Sequence, residues 1–399
     1  MVLALVSVVL AGCGDGRIDV EEQPTCAPCV AGAECPCGVI SVPTEACDGK
    51  QLGGKSCVSL GFLGGTLSCT KACTVDTSQC RGASGLERAV TSGSFGALAL
   101  SADLVATVTS TRQVLTLETF SRKTLEPVAR TEQVLRTKAD GAGGVGELRV
   151  ARVPDGWVVA GQAYGSTSEL SIWHVDEQGA WTARGVARGQ RPLFLINAGD
   201  ELALGGEAWA SDSRSVGVVL TTLRADGTPG ASRFLAAPDR IFTGNTASAA
   251  HFGGVVHVLS SCTPNQANRP VRLNGAPLDQ LGAHGVLVAD PRAGAHAVVV
   301  KDGLWRVTLG DDGEPRTAPT KLADGLHGPL HAAGVVGGEL VVWAMRGTLL
   351  VRATAKPDGA ASAVDMLSGM NLEVLAMTQA ADAAFALANA NGRTALHRF

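Results

Sequence analysis

Aromatic residues are scarce, 4% of 399 positions with a single tyrosine. Lysine and arginine gather nowhere, and the formal net charge is −4. Both features argue against a nucleic-acid partner, which needs a concentrated basic surface. No apolar run approaches the ~20 residues that span a bilayer as a helix. No stretch keeps a helical hydrophobic period over several turns, which excludes a helical bundle. Catalytic signatures are missing too: there is neither a G-x-S-x-G elbow nor an H-E-x-x-H helix. After Cys80 cysteine all but vanishes, with Cys262 alone following.

Glycine, by contrast, reaches 50 residues. A Gly/Ala/Val-rich chain of this length suits many short strands and tight turns, with enough residues for more than one domain. Nine cysteines crowd into one segment: Cys26, Cys29, Cys35, Cys37, Cys47, Cys57, Cys69, Cys73 and Cys80. The segment has too little apolar content for a core, so it calls for disulfide staples and an oxidising compartment. Cys26-x-x-Cys29 and Cys35-x-Cys37 have zinc-like spacing, but no further pair with histidine completes a four-ligand set. No metal, cofactor or catalytic residue is expected.

The N-terminus points the same way. Val2 to Leu10 is an apolar run of signal-peptide length, ending in Leu10-Ala11-Gly12-Cys13. That tetrapeptide resembles the lipobox of bacterial lipoproteins. The resemblance implies cleavage before Cys13, lipidation of its thiol, acylation of the new amine and firm membrane anchoring. No Lys or Arg precedes the run, so the true start is expected upstream of Met1.

Gly49-Lys50-Gln51-Leu52-Gly53-Gly54-Lys55-Ser56 matches the phosphate-loop pattern G-x-x-x-x-G-K-[ST]. A working loop lies between a strand and a helix. Here Pro43–Cys47 is poor strand material, and the glycines after Cys57 would break a helix. The segment instead resembles a cysteine-rich module of secreted proteins and lipoproteins of myxobacteria and their relatives. The matching residues are Cys47-Asp48-Gly49, Leu52-Gly53, Cys57, Leu60-Gly61-Phe62, Gly65-Thr66-Leu67, Cys69, Cys73, Asp76-Thr77-Ser78 and Cys80. The resemblance implies an extracytoplasmic stapled module without known chemistry, and no nucleotide as partner. Residues 13–22, CGDGRIDVEE, weakly resemble the opening of another cysteine-rich surface repeat.

Beyond a linker at 81–85 the rhythm changes. Short apolar strands recur at Leu104, Trp157, Leu202, Val255, Ala297, Leu340 and Ala384. A glycine turn follows most of them downstream: Asp176–Gly179, Arg224–Gly227, Leu273–Gly275, Gly310–Gly313 and Lys356–Gly359. Seven units of about 45 residues fill 85–399, each long enough for four short strands. The expected fold is therefore all-β: a seven-bladed β-propeller over 86–399, with a six- or eight-bladed ring, then paired β-sandwiches, as alternatives. In the second unit the strands are read as Glu147–Arg152, Trp157–Gly161, Glu169–Val175 and Trp181–Ala187. The last unit lacks its fourth strand, and Leu86–Thr91 is expected to supply it. The domain order is then a signal peptide at 1–12, a tether at 13–45, the cysteine module at 46–80, the linker and the propeller.

Function is expected where loops vary. The second-to-third-strand loops are tight in the fifth to seventh units but long in the second to fourth: Gln162–Ser168, Glu207–Ser215 and Ser261–Arg269. These carry Tyr164, Trp209, Asp212, Arg214, Asn265, Gln266 and Arg269, a mixture suited to a protein loop or a glycan. His327 and His331 are expected to be satisfied or exposed, since Gly328 and Pro329 forbid a metal-binding helix. Asp311-Asp312-Gly313 fits the repeated turn without an ion. Nine cysteines in the cluster leave one over, which either bridges to Cys262 or leaves Cys262 a buried thiol. The reading is an envelope protein anchored at Cys13, with the outer membrane favoured, binding a protein or glycan. A glycan hydrolase or lyase and a structural subunit of a surface complex are its alternatives.

Overall fold

The computed structural model describes residues 20–26, 37–43, 47–52, 55, 64–71, 73–76, 80–81, 86–111, 113–135, 145–163, 169–209, 215–236, 245–262, 272–274, 276–278, 284–290, 292, 294–300, 303–324, 329–346, 349–355, 361–368, 373–380, 382–390 and 393–399. Every regular element among them is a β-strand. The chain divides into two compact units, Met1–Gly85 and Leu86–Phe399.

The first unit is a set of short hairpins. β1 (Val20–Cys26) pairs antiparallel with β2 (Cys37–Pro43), placing Cys26 opposite Cys37 in the register. β3 (Gly64–Gly65) pairs with β6 (Cys80–Arg81), and β4 (Ser68–Cys69) with β5 (Val75–Asp76). Cys47, fully buried, is bridged to Cys69 with an S–S length of 2.06 Å. Cys73 is disulfide-bonded as well. The described part of the Gly49–Ser56 run is a tight turn: Gln51 N donates to Asp48 O at 2.6 Å, and Gly49 has φ 51°. Cys13, Cys29, Cys35 and Cys57 lie outside the described residues, as does the side chain of Cys262.

The second unit is a ring of seven four-stranded antiparallel sheets. Blade 1 holds β8 (Phe95–Leu100), β9 (Leu104–Ser110), β10 (Val114–Ser121) and β11 (Pro127–Val134). Blade 2 holds β12 (Val145–Val153), β13 (Gly156–Ala163), β14 (Glu169–Asp176) and β15 (Trp181–Arg188). In blade 3 come β16 (Pro192–Ala198), β17 (Glu201–Trp209), β18 (Ser215–Leu223) and β19 (Pro229–Ala236). Blade 4 has β20 (Asn245–Phe252), β21 (Val255–Cys262) and the two-residue strands β22 (Arg272–Leu273) and β23 (Ala276–Pro277). Blade 5 runs through β24 (His284–Asp290), β25 (Gly294–Val300), β26 (Gly303–Leu309) and β27 (Thr320–Asp324). Blade 6 is β28 (Leu330–Val336), β29 (Glu339–Arg346), β30 (Leu349–Ala355) and β31 (Ala361–Ser368). Blade 7 comprises β32 (Glu373–Gln379), β33 (Ala384–Ala390), β34 (Arg393–Arg398) and, from the start of the unit, β7 (Leu86–Ala89).

The first strands of successive blades touch in a closed circuit, β8 to β12, β16, β20, β24, β28, β32 and back to β8. This count fixes seven blades. Local sequence explains the repetition within them. In three blades the turn between the third and fourth strands ends on Gly179, Gly227 or Gly313, with φ of 85°, 83° and 80°. A side chain at that left-handed position would be strained, so glycine sets the turn. In each turn the glycine N–H donates to the residue three before it: Asp176 at 3.0 Å, Arg224 at 2.8 Å and Gly310 at 2.8 Å.

Both faces of each sheet are apolar, so the cores lie between blades. Leu115, Leu117 and Val108 of blade 1 pack on Leu148, Val159 and Trp173 of blade 2. Blades 7 and 1 meet through Phe385, Leu387, Leu396, Val105 and Phe120. This seam is also where the ring closes. β7 pairs antiparallel with β34, Leu86 opposite Arg398 and Ala89 opposite Ala395. Past it, Val90 N donates to Thr394 O at 3.2 Å and Thr91 N to Glu118 Oε2 of blade 1 at 2.7 Å. Arg88 pairs with Glu126, and Arg122 of blade 1 with Asp382 of blade 7.

Two sequence expectations shift in the structure. Gln162, Glu207 and Ser261, read as loop starts, lie inside β13, β17 and β21. Each strand runs on because its ladder continues, with Gln162 opposite Leu170, Glu207 opposite Val218 and Ser261 opposite Thr246. The closing strand itself ends at Ala89.

Removing the side chain of the fully buried Phe385 empties the seam core. Phe385→Ala is expected to cost about 3–5 kcal/mol by urea denaturation. A cost below about 1 kcal/mol, the range of surface substitutions, would show that the seam is not a packed core.

Candidate functional site

The first strands surround an axial channel whose mouth opens into a cavity of about 430 Å³, lined by residues of all seven blades. The lining residues fall near the N-terminal ends of these strands, the end at which the second strand of each blade finishes and its loop to the third begins.

Four of the seven lining strands are irregular here. The ladder between first and second strands slips at Gly146–Glu147 in blade 2, Leu193 in blade 3, His331 in blade 6 and Leu375 in blade 7. Blades 1, 4 and 5 pair without a slip. A bulge leaves its extra residue out of the ladder and re-aims the side chain. At each slip a bulged residue lines the cavity: Glu147, Leu193, His331 and Leu375.

Among the described lining residues, charge is confined to blades 2 and 3. Arg191 Nε donates to Glu207 Oε2 at 2.5 Å, and Arg191 Nη1 to Glu147 Oε1 at 2.9 Å. Glu207 is fully buried. Its backbone is tied down too: Gln190 N donates to Glu207 O at 2.8 Å and Glu207 N to Arg191 O at 3.0 Å. Burial alone would lower the pKa of Arg191, but Glu147 and Glu207 more than reverse this and hold it above its ordinary value. Arg149 is pinned by backbone carbonyls, Nε donating to Leu193 O at 2.8 Å and Nη1 to Leu148 O at 2.6 Å. Its Nη2 lies 4.0 Å from Glu147 Oε2, too far for a hydrogen bond. Burial, with Arg191 close by, pushes Arg149 below its ordinary value in spite of Glu147.

The remaining described wall is mostly apolar, with Ser248 and His331 as its polar members. Leu98, Ile196, Val286, Leu330, Leu375 and Met377 are each partly exposed along it. His331 contradicts the expectation of a satisfied or exposed ring: it is largely enclosed, and its Nε2 has no hydrogen-bond partner among the described residues. The bulge carries the ring inward among apolar side chains, and burial lowers its pKa to about 4. His327 lies outside the described residues. The Asp312 carboxylate is committed to Glu314 N at 3.0 Å and Arg316 Nη2 at 2.7 Å. A second hollow of about 720 Å³ lies among the opposite turns of blades 1 to 3, beside Asp103, Arg152, Asp200 and Glu201. There Arg152 is spent on Gly156 O and Glu177.

Of the residues chosen from the sequence, Tyr164, Asp212, Arg214, Asn265, Gln266 and Arg269 lie outside the described residues. Trp209 closes β17, and its side chain is likewise not described. The channel residues were overlooked. Glu147 and Arg191 are 44 positions apart, one blade length, so superposing the repeats would have placed them side by side.

The strand pairing thus defines a seven-bladed β-propeller. No family description matches the chain, and no curated protein sequence is similar to it. Solved structures are similar in fold. The Dos1 propeller shares 12% identity at a TM-score of 0.47, over 78% of this chain and 93% of that one. The WD40 domain of Toxoplasma gondii coronin shares 11% at 0.48, over 76% and 80%. The β-propeller domain of the Trilobed protease from Pyrococcus furiosus shares 11% at 0.46, over 76% and 95%. The blade count rests on this chain's own pairing.

His331 sets a pH dependence. Its pKa in the folded chain is about 4 against an ordinary 6.5, so protons favour the unfolded state. The contribution of this histidine is constant above pH 6.5, falls between 6.5 and 4, and levels off below. The expected loss is about 3 kcal/mol. Urea titrations of His331→Leu should show a shallower decline than wild type, and parallel declines would refute the assignment.

Proposed function

We propose that this protein is a lipid-anchored extracytoplasmic binding module, facing periplasm or cell surface, whose propeller holds a protein or glycan partner at its channel mouth. One observation carries the binding role. The seven inner strands meet at a cavity of small-molecule size, and an arginine–carboxylate network stands on one side of it alone. Packing between blades needs no charge there, and mostly apolar residues fill the other described positions. β13 ends at Ala163 and β17 at Trp209 on this same side of the ring.

The compartment rests on other features. Leu10-Ala11-Gly12-Cys13 supplies the anchor, and the disulfides at Cys47–Cys69 and Cys73 belong to an oxidising environment. The hydrolase or lyase reading finds less support. Glycoside hydrolysis needs two carboxyl groups free to act as acid and base or nucleophile. In the channel Glu207 is fully enclosed and both glutamates face Arg191.

In cells, the wild-type chain is expected to partition into the detergent phase on phase separation and to incorporate labelled palmitate. Cys13→Ser should move it to the aqueous phase and abolish labelling. An aqueous, unlabelled wild type would remove the anchor from this proposal.

A further inference from the structure

Arg149 differs from the other charged groups of the channel. Arg191 is bracketed by Glu147 and Glu207, and Glu207 is enclosed. Arg149 has two nitrogens fixed by backbone carbonyls, which hold the guanidinium plane without neutralising it. The third, Nη2, has no acceptor within hydrogen-bond distance among the described residues, and the side chain, which lines the cavity, is 33% exposed. A guanidinium oriented in advance, with one edge free, is built to receive an oxygen acceptor.

The neighbourhood restricts which acceptor fits. Glu147 Oε2 stands 4.0 Å from Nη2, so a dianion would meet about twice the repulsion that a monoanion does. The same oxygen is an acceptor in search of a donor. A ligand with a carboxylate and an N–H or O–H on the adjacent carbon would bridge the two residues. Past this pair the wall turns to Leu98, Val286, Leu330 and Met377, which would cover an apolar body.

We propose that the channel mouth binds a monocarboxylate bearing a hydrogen-bond donor on its α-carbon and an apolar side chain. Arg149 takes the carboxylate and Glu147 the donor. Two sources share this chemistry, a free α-amino or α-hydroxy acid and the C-terminus of a peptide ending in an apolar residue. The proposal rests on the channel mouth being the binding site, and the test separates the two claims.

The test is calorimetric titration of the full chain with leucine, with acetyl-Ala-Ala-Ala-Leu as free acid, and with the same peptide as its C-terminal amide. At least one acid probe should bind, the amide at least about tenfold more weakly. Leucine binding alone would identify a free acid as the source, and tighter peptide binding a chain terminus. Arg149→Gln should lose about tenfold or more toward the acids, with Arg149→Lys retaining part. Ala247→Trp fills the mouth from blade 4, leaves Arg149 itself in the chain, and should abolish all binding. Melting curves of each variant establish that the ring is intact. If acid and amide bind alike and Ala247→Trp abolishes both, the carboxylate proposal fails while the channel-mouth reading survives. If binding persists in Ala247→Trp, the channel-mouth reading falls with it. Absence of binding by every acid probe at millimolar concentration would overturn the proposal outright.

Discussion

A sheet with two apolar faces cannot end against water, and everything in residues 86–399 follows from that constraint. Apolar clusters join blades 1 to 2, 2 to 3, 3 to 4, 4 to 5, 5 to 6 and 7 to 1, and Trp343 of blade 6 packs on Phe399 at the end of blade 7. An open row would leave two faces wet at its ends. Bending the row into a ring brings those faces together, and the chain supplies the joint by placing β7 beside β34. The joint is reinforced where blade 1 reaches back, through Glu118 to the Thr91 amide and Arg122 to Asp382. Closure also removes the unpaired edge that β34 would otherwise present. The first unit meets the same demand in another way. Its strands are as short as two residues, and disulfides stand in for a core it cannot build.

The ring was legible because its signals are local. A strand of Trp157-Val-Val-Ala type and a glycine after Asp or Asn each act within a few residues, and both recur at blade spacing. Their recurrence gave the blade count, and the missing fourth strand after Arg398 pointed to Leu86. Strands in blade 2 came out within two residues of their observed ends, β12 being Val145–Val153 against an expected Glu147–Arg152. Loop starts were less legible. Alternation does not distinguish a strand whose ladder continues, such as β17 through Glu207 to Trp209, from one that has turned outward.

The channel site was not legible, for a different reason. A bulge at His331 or Leu375 depends on how two strands align, and nothing in either strand's own sequence announces it. The ion network draws on Glu147, Arg191 and Glu207 from two blades. Their pairing arises from ring geometry, which brings residues one repeat apart into contact. A polar residue within the innermost strand was the available clue. Glu147-Leu148-Arg149-Val150 puts two charges into a strand flanked by neighbours on both sides, where Val or Leu would pack without penalty.

That departure is the strongest argument that the mouth has a role beyond closing the ring. Enclosed ion pairs seldom add stability over apolar residues of similar volume, because desolvation offsets their attraction. Here the network encloses a carboxylate completely, and it stands on two blades while the others manage without charge. Were its purpose only to hold blades 2 and 3 together, the interblade core of Val158, Ile172 and Leu204 would suffice, as its counterparts do elsewhere in the ring. Sequences that satisfy packing at every level tend to break the pattern where function demands it. The bulges follow the same logic: regular pairing in blades 1, 4 and 5 shows that the inner strand can pass the mouth without one. Irregular backbone and enclosed charge therefore coincide at one end of the channel, and the free edge of Arg149 is the point at which both meet open space.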